Sequence, residues 1–372
     1  MTEDVLIIGA GVMGCATAHA LAKRGATPLV LERAVPGAEA SSVAAGILGP
    51  ALEAEHDGPS LPVAQRALEM HGALAEELLE ATGVDVGFRV SGALMIAKDE
   101  REREALVEKH AFLVRRGLRA ELLEASDARA LEPSLTDALV GALSLPDEAQ
   151  LEPPRLLRAL AIAAERRGAR FKTGTTVRGL VVRDGRVVGV DLGGELLEAS
   201  RVVVAAGSWT SLLPGLELRE DVIFPVRGQI AHCETRAPLL RRIVFGAGGY
   251  VVPRPDGRTL VGATAERVGF RREVTLAGLE RMASIARGIA PALLEAPFVE
   301  ARVSFRPATP DGLPLVGRTS IEGLFVTSGH YRNGILLAAL SGELLADLLE
   351  GRDGGAAARL FDPRRFERDA LG

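Results

Sequence analysis

Apolar residues fall into three kinds of run along this chain. Residues 5–8, 28–31 and 201–209 hold short, unbroken β-branched or aliphatic stretches, which predict strands covered on both faces. Helix-spaced patterns over residues 61–82, 100–116 and 276–289 predict amphipathic helices. Segment 121–135, "ELLEASDARALEPSL", also has the look of a short capped helix. "VSGALMIA" at 90–97 predicts a strand, and 176–192 a hairpin with Asp184-Gly185 at its tip. Residues 224–264 alternate strand-like runs with turns, and 299–318 is extended. The chain closes with a strand, "GLFVTS", and an apolar helix that Asn333-Gly334 is expected to open.

Residues 5–22 carry no formal charge and are long enough to raise the question of a membrane span. Three glycines, a histidine and a threonine lie inside that stretch, so strand, tight turn and helix is the better reading. Strands alternate with helices at both ends of the chain, with antiparallel-looking material between. That is the pattern of an α/β protein whose nucleotide domain is assembled from separated segments.

Composition narrows the function. A net charge of −5 argues against a nucleic-acid or polybasic membrane surface. Cys15 and Cys233 have no metal-ligand spacing and make no disulfide framework, which fits a reducing, cytoplasmic setting. The start, "MTED", is acidic and has no secretory character.

The chemistry begins at Gly9-Ala10-Gly11-Val12-Met13-Gly14, a G-x-G-x-x-G between strand and helix. The first glycine permits the turn, the second lets a pyrophosphate approach, and the third lets the helix pack on the strand. Amides at the helix start supply donors to the phosphates. Glu32 closes the second strand, where a carboxylate accepts both ribose hydroxyls of an adenosine. NAD and FAD share this fingerprint. Two later features favour FAD: the strand ending in Ala205-Ala206-Gly207, and the closing strand–helix unit. The latter would aim its amides at the anionic pyrimidine edge of a reduced flavin. Arg332 stands at that helix start, where a cation opposes the helix dipole and needs another purpose.

"SSVAAGILGP", "GYVVPRPDGRTLVGAT", "FRPATPDGLPLVGR" and "GHYRNGILLA" occur in that order. Through them the chain resembles the D-amino-acid oxidase superfamily of flavoproteins over nearly its whole length, and within it most the glycine oxidases of thiamine biosynthesis. The resemblance implies a glutathione-reductase-type FAD-binding Rossmann domain and an α+β substrate domain with a large mixed or antiparallel sheet. We expect the first from residues 1–85, 146–222 and 302–372, and the second from 86–145 and 223–301. It also implies oxidation of a small amine: hydride passes from the α-carbon to flavin N5, the imine hydrolyses, and O2 becomes H2O2. No acid–base side chain is required when the amine binds neutral. A dehydrogenase of the same fold, acting on D-amino acids, sarcosine or proline with another electron acceptor, is the alternative.

Carried over by motif, FAD contacts would fall at Val12, Met13, Glu32, Arg33, Ser41, Ser42, Ala45, Gly46 and Ile47. Val177 would touch the adenosine through its backbone, with Gly207 and Trp209 beside it. The pyrimidine end would be lined by His330, Tyr331, Arg332, Asn333, Gly334, Ile335 and Leu336. Arg306 and Arg332 would hold the substrate carboxylate, because a planar guanidinium matches it bidentately. Tyr250 would add its hydroxyl.

Two positions depart from the glycine oxidase pattern. Gly248 replaces a polar side chain, and Ala265 a bulkier one, so sarcosine, D-alanine or D-proline becomes admissible beside glycine. No cysteine lies in 304–311, where related enzymes attach their flavin, so FAD is expected to be non-covalent. The resemblance also suggests a homo-oligomer, a tetramer in particular, and a link to the thiazole-forming enzyme of thiamine synthesis.

Overall fold

The computed structural model describes residues 4–54, 58 and 60–367. Its first sheet has six strands, in the spatial order Leu315–Arg318, Leu324–Ser328, Val202–Val204, Leu6–Ile8, Leu29–Leu31 and Arg170–Lys172. All pairs are parallel except the outermost one, Leu315–Arg318 against Leu324–Ser328. Leu6 and Ile8 face one core, with Val202, Val204, Leu324 and Val326. Ile7 faces the other, with Val203, Phe325 and the helices. Both faces are covered, which is why these strands are written as continuous apolar runs.

The first helix, Val12–Lys23, is buried from Val12 to Ala22. It packs between the helices Pro153–Arg166 and Ala338–Leu349. Gly342 makes the second contact close, since a Cβ there would stand 2.6 Å from the Ala16 carbonyl oxygen. The uncharged stretch thus buries itself against protein. Among the described residues no helix is long and apolar enough to cross a membrane.

The second sheet has eight strands and is mixed: Phe298–Ala308, Phe224–Glu234, Arg258–Gly262, Gly249–Pro253, Ile243–Gly246, Ala93–Ala97, Gly141–Leu145 and Glu121–Glu124. Only the pair Ile243–Gly246 and Ala93–Ala97 is parallel. One face packs on the helix Leu276–Ile289 through Met282, Ile285 and Ile289. Thr275 caps that helix by accepting the Gly278 amide at 3.1 Å. The other face packs on Glu100–Arg115 through Leu106 and Leu113.

Most expected elements form within a residue or two of their predicted bounds. Glu121–Glu124 is a correction: these residues are an edge strand, and the helix starts only at Ala125. Pairing with Gly141–Leu145 supplies the strand with backbone partners that local helix propensity does not outweigh.

Glu148 is 2% exposed, accepts the Ala51 amide at 3.0 Å through Oε1, and leaves Oε2 without a partner. Burial raises its pKa to about 8, so the folded protein holds the carboxyl neutral at pH 7. Its folded pKa lies above its unfolded value. The folded state therefore binds the extra proton between roughly pH 4.5 and 8, and stability from this group declines as pH rises through that window. Glu148→Gln should flatten the fall in Tm between pH 5 and 9 relative to the parent protein. Parallel slopes in scanning calorimetry would refute this.

Candidate active site

Three parallel strands set the site. Ile8, Val204 and Val326 lie in register, so the chain leaves all three at one edge of the sheet. There begin Gly9, the segment Ala205–Gly207, and Gly329-His330, at the carboxyl edge where open α/β sheets bind ligands. Ser328 ties two of these exits together by donating from Oγ to the Gly207 carbonyl at 2.9 Å. A cavity of about 830 Å³ runs from this edge to the eight-stranded sheet.

At its near end the glycine turn has a distinct use for each glycine. Gly9 is at φ +100°, and a Cβ there would meet the Ala205 carbonyl oxygen at 2.6 Å. A Cβ on Gly14 would meet the Gly9 oxygen at 1.9 Å. Gly11 is different: its nearest neighbour would be Ser41 Oγ at 3.5 Å, so its bare face is open to the cavity. The Val12 amide donates to Ser41 Oγ at 2.9 Å. Gly11 and Met13 keep amides with no partner among the described residues. Amides so placed at a helix start are able to cradle a pyrophosphate.

Glu32 lines the cavity beyond the turn. Its carboxylate accepts the amides of Ala10 at 2.8 Å and Ala34 at 2.9 Å, which fixes it at the adenosine end with lone pairs to spare. Arg33 lies over the Trp209 ring, 4.2 Å from its centroid, and Trp209 stacks on Phe270 at 4.9 Å. Trp209 is thus packed at the nucleotide end. Val177 and Gly207 also line this end.

Across the middle run Ser41, Ala45, Gly46 and Ile47. Gly46 accepts the Leu151 amide at 3.0 Å, and the Ala45 carbonyl accepts Arg254 Nη2 at 2.7 Å. Arg254 is 4% exposed and also donates to Gln150 at 2.5 Å, so it holds the middle of the cavity from the neighbouring sheet. Sequence reasoning missed it, because a proline-flanked arginine in "PRPDG" has the signature of a turn.

The closing segment departs from expectation. The helix begins at Ala338, not at Asn333-Gly334. Tyr331 sits at φ +46°, its amide donates to the Pro307 carbonyl at 2.7 Å, and Asn333 donates to His330 oxygen at 2.8 Å. These bonds turn the chain before a helical ladder can start. Residues 332, 334, 335 and 336 therefore have amides with no partner among the described residues. His71, buried in Ser60–Thr82, contacts the Leu336 carbonyl through Nε2 at 2.9 Å and anchors the segment from behind. His330 is 3% exposed with Nε2 on Ser341 Oγ at 3.0 Å, and burial drives its pKa down to about 3. It is a neutral packing histidine at the cavity wall.

Arg306, Tyr250 and Arg332 share the far end. Arg306 Nη1 donates to the Thr264 carbonyl at 3.0 Å, and its guanidinium occupies the space over Gly228, where a Cβ would stand 2.3 Å away. Burial raises the Tyr250 phenol above its ordinary pKa, while the Arg306 and Arg332 guanidiniums pull it back. Arg332 is about half exposed and faces Glu53 Oε2 at 3.7 Å. Glu53 was not singled out from sequence; only folding brings it to Arg332. Of the residues carried over by motif, Gly14, Ser42 and Leu336 do not line the cavity. Ser42 Oγ donates instead to Gly37 oxygen at 2.6 Å.

A nucleotide cradle, a ribose carboxylate and a two-arginine far end joined in one cavity match the comparisons with known proteins. The family model "FAD dependent oxidoreductase" matches residues 4–348. The chain belongs to this family. It is 37% identical to a glycine oxidase of Geobacillus kaustophilus, over 94% of this chain and 93% of that one. The crystal structure of glycine oxidase from that organism superposes with a TM-score of 0.93 at 36% identity, covering 98% and 99% of the two chains. A bifunctional ThiO/ThiG protein of Nostoc sp. is 35% identical across all of this chain, which spans 56% of that longer protein. The protein is an FAD-dependent amine oxidoreductase.

The glycine turn separates folding from cofactor binding. Gly11→Ala should leave the Tm of the FAD-free protein within about 2 °C, yet weaken FAD by about 100-fold or more, because the methyl enters only the phosphate path. Gly14→Ala should destabilise the fold itself. Equal loss of Tm in the two variants would contradict the assignment.

Proposed function

We propose that the protein oxidises glycine and small related amines, including sarcosine and D-amino acids, with O2 as electron acceptor. The observation that carries this reading is the meeting of Arg306, Arg332 and Tyr250 at the far end of the FAD cavity. The names of the relatives at 37% and 35% identity support it. FAD held in this cavity would supply two-electron oxidation of the amine.

The chain's own residues bind and orient. Arg306 is held in place by the Thr264 carbonyl and the Gly228 backbone, so its fork is set before substrate arrives. Arg332 exchanges the distant Glu53 carboxylate for that of the substrate, a closer and more directional partner. Tyr250 adds a hydroxyl and a wall, with Phe245 packed on it at 5.4 Å. The unpaired amides of 332, 334 and 335 would face negative charge at the pyrimidine end. His330 is neutral and committed to Ser341, so it is not offered as a base; none is required when the substrate amine binds neutral.

Finer features of the reading have separate support. The two-unit division is supported by the six-stranded sheet, whose strands all come from residues 1–85, 146–222 and 302–372. The eight-stranded sheet draws on 86–145 and 223–301, although its strand Phe298–Ala308 runs across the boundary. The fused ThiO/ThiG relatives support a link to thiazole formation. Two unpaired cysteines support a cytoplasmic setting, and a homo-oligomer is part of the same proposal. Neither cysteine lines the cavity, which supports non-covalent FAD.

Arg306→Ala should raise KM for glycine steeply with FAD retained. Losing one charge-assisted carboxylate contact costs about 2–4 kcal/mol of substrate binding. An unchanged KM would remove Arg306 from the substrate site. Acid precipitation should release all yellow flavin into the supernatant; flavin retained in the pellet would overturn non-covalent binding. Peroxide release from glycine in air tests the acceptor, and dye reduction without peroxide would establish a dehydrogenase instead.

A further inference from the structure

Behind the middle wall of the cavity stands a buried cation, Arg254. It follows the strand Gly249–Pro253 of the eight-stranded sheet and is 4% exposed. Its guanidinium donates to the Gln150 side-chain oxygen at 2.5 Å and to the Ala45 carbonyl at 2.7 Å. Both acceptors are neutral, and Arg254 has no ion pair among the described residues. Glu152, the carboxylate that acts on it most strongly, is committed to Arg258 at 2.9 Å and Arg155 at 3.3 Å. Arg89 and Arg258 add positive charge, so three guanidiniums here face two carboxylates, Glu152 and Asp256. Burial lowers the pKa of Arg254 to about 10, which leaves it charged at pH 7. A buried guanidinium without a counter-ion is costly unless something else balances it.

The Ala45–Gly46 peptide links this charge to the cavity. In a trans peptide the N–H points opposite to the C=O, so the Gly46 N–H is directed away from Arg254. It has no partner among the described residues, and both Ala45 and Gly46 line the cavity. The peptide is not free to turn over. Gly46 is at φ +76°, its carbonyl accepts the Leu151 amide at 3.0 Å, and a Cβ on it would stand 2.0 Å from the Leu151 oxygen. A guanidinium on the carbonyl polarises the peptide and makes the opposite N–H a stronger donor. FAD reaching from the glycine turn to the arginine end would lay its ring along this wall.

We propose that Arg254 is a positioning residue for the flavin: through the Ala45–Gly46 peptide and by its own uncompensated charge, it stabilises the negative charge that the ring takes up on reduction. Two electrons and one proton leave the reduced ring anionic, and that anion is the counter-ion the guanidinium otherwise lacks. The oxidised ring is neutral. The interaction is therefore stronger in the reduced state, which raises the reduction potential. Arg254 acts from behind the wall and need touch neither flavin nor substrate. A residue that merely propped Ala45 in place would behave differently. Losing such a prop would change FAD retention and Tm, but not the potential of the flavin that stays bound.

Gln150→Glu separates charge from support. It keeps an acceptor for Arg254 in the same place and gives the guanidinium a counter-ion from within the protein. Ser91 Oγ, which accepts from Gln150 at 3.0 Å, can donate to the new carboxylate instead. Sulfite is the probe: its sulfur lone pair adds to flavin N5, leaves the ring anionic and bleaches the visible band. Titrated into the FAD-loaded protein, sulfite should bind the parent, and bind Gln150→Glu about ten-fold or more weaker, the scale of one charge-assisted contact. The two-electron midpoint potential should fall in step, by about 30 mV for each ten-fold. Arg254→Gln should show the same two changes in the fraction that retains FAD. Unchanged sulfite affinity and potential in Gln150→Glu would overturn the proposal, as would a parent flavin that takes up no sulfite. Arg254→Gln with lowered FAD occupancy but the parent's potential would reduce the residue to a prop, and overturn it as well.

Discussion

A backbone hydrogen bond, Tyr331 amide to Pro307 carbonyl, ties the arginine-bearing segments of the two sheets together. Pro307 follows Arg306 on a strand of the eight-stranded sheet, and Tyr331 precedes Arg332 at the exit of the six-stranded one. The bond sets the two guanidiniums at one end of a cavity whose other end is the glycine turn. It also holds Tyr331 at positive φ and so delays the closing helix to Ala338. The amides of 332, 334, 335 and 336 stand ahead of that helix with no partner among the described residues. The arginines and these amides thus lie on segments that one bond ties together.

Electrostatics along the cavity follow a consistent order. Unpaired amides and a helix start stand at the glycine turn, and the Glu32 carboxylate stands beyond it. More amides lie in the 332–335 segment, and guanidiniums at the far end of the cavity. Groups that titrate near neutrality are kept out of this line. His330 is held neutral by burial, and the Tyr250 phenol stays protonated. The result is a site that recognises negative charge at several points without side chains that exchange protons, which suits a reaction whose bond-breaking chemistry belongs to the cofactor.

Local signals were legible wherever one residue type has one physical use. Gly9, Gly11 and Gly14 could be assigned separate duties because a turn, an open face and a tight contact each exclude a side chain. The buried strands were legible from unbroken apolar runs, and the Asp184-Gly185 tip from its turn chemistry. Glu121–Glu124 was not, because an edge strand with two leucines between glutamates has no local mark that separates it from a helix. Glu53, Arg254 and His71 were not legible either. Each acts on a partner far away in sequence: Arg332, Ala45 and Leu336.

By itself, then, the sequence determined the glycine turn, a carboxylate at the end of the second strand, the buried sheet and the presence of arginines in motifs that suit a carboxylate. Those depend on φ, side-chain size and charge, which are properties of short segments. Tertiary structure alone decided which arginines meet, what faces Arg332, and which cation stands behind Ala45. Such facts depend on strand register and on the packing of segments that are distant in the chain. No residue carries them until the two sheets close around the cavity.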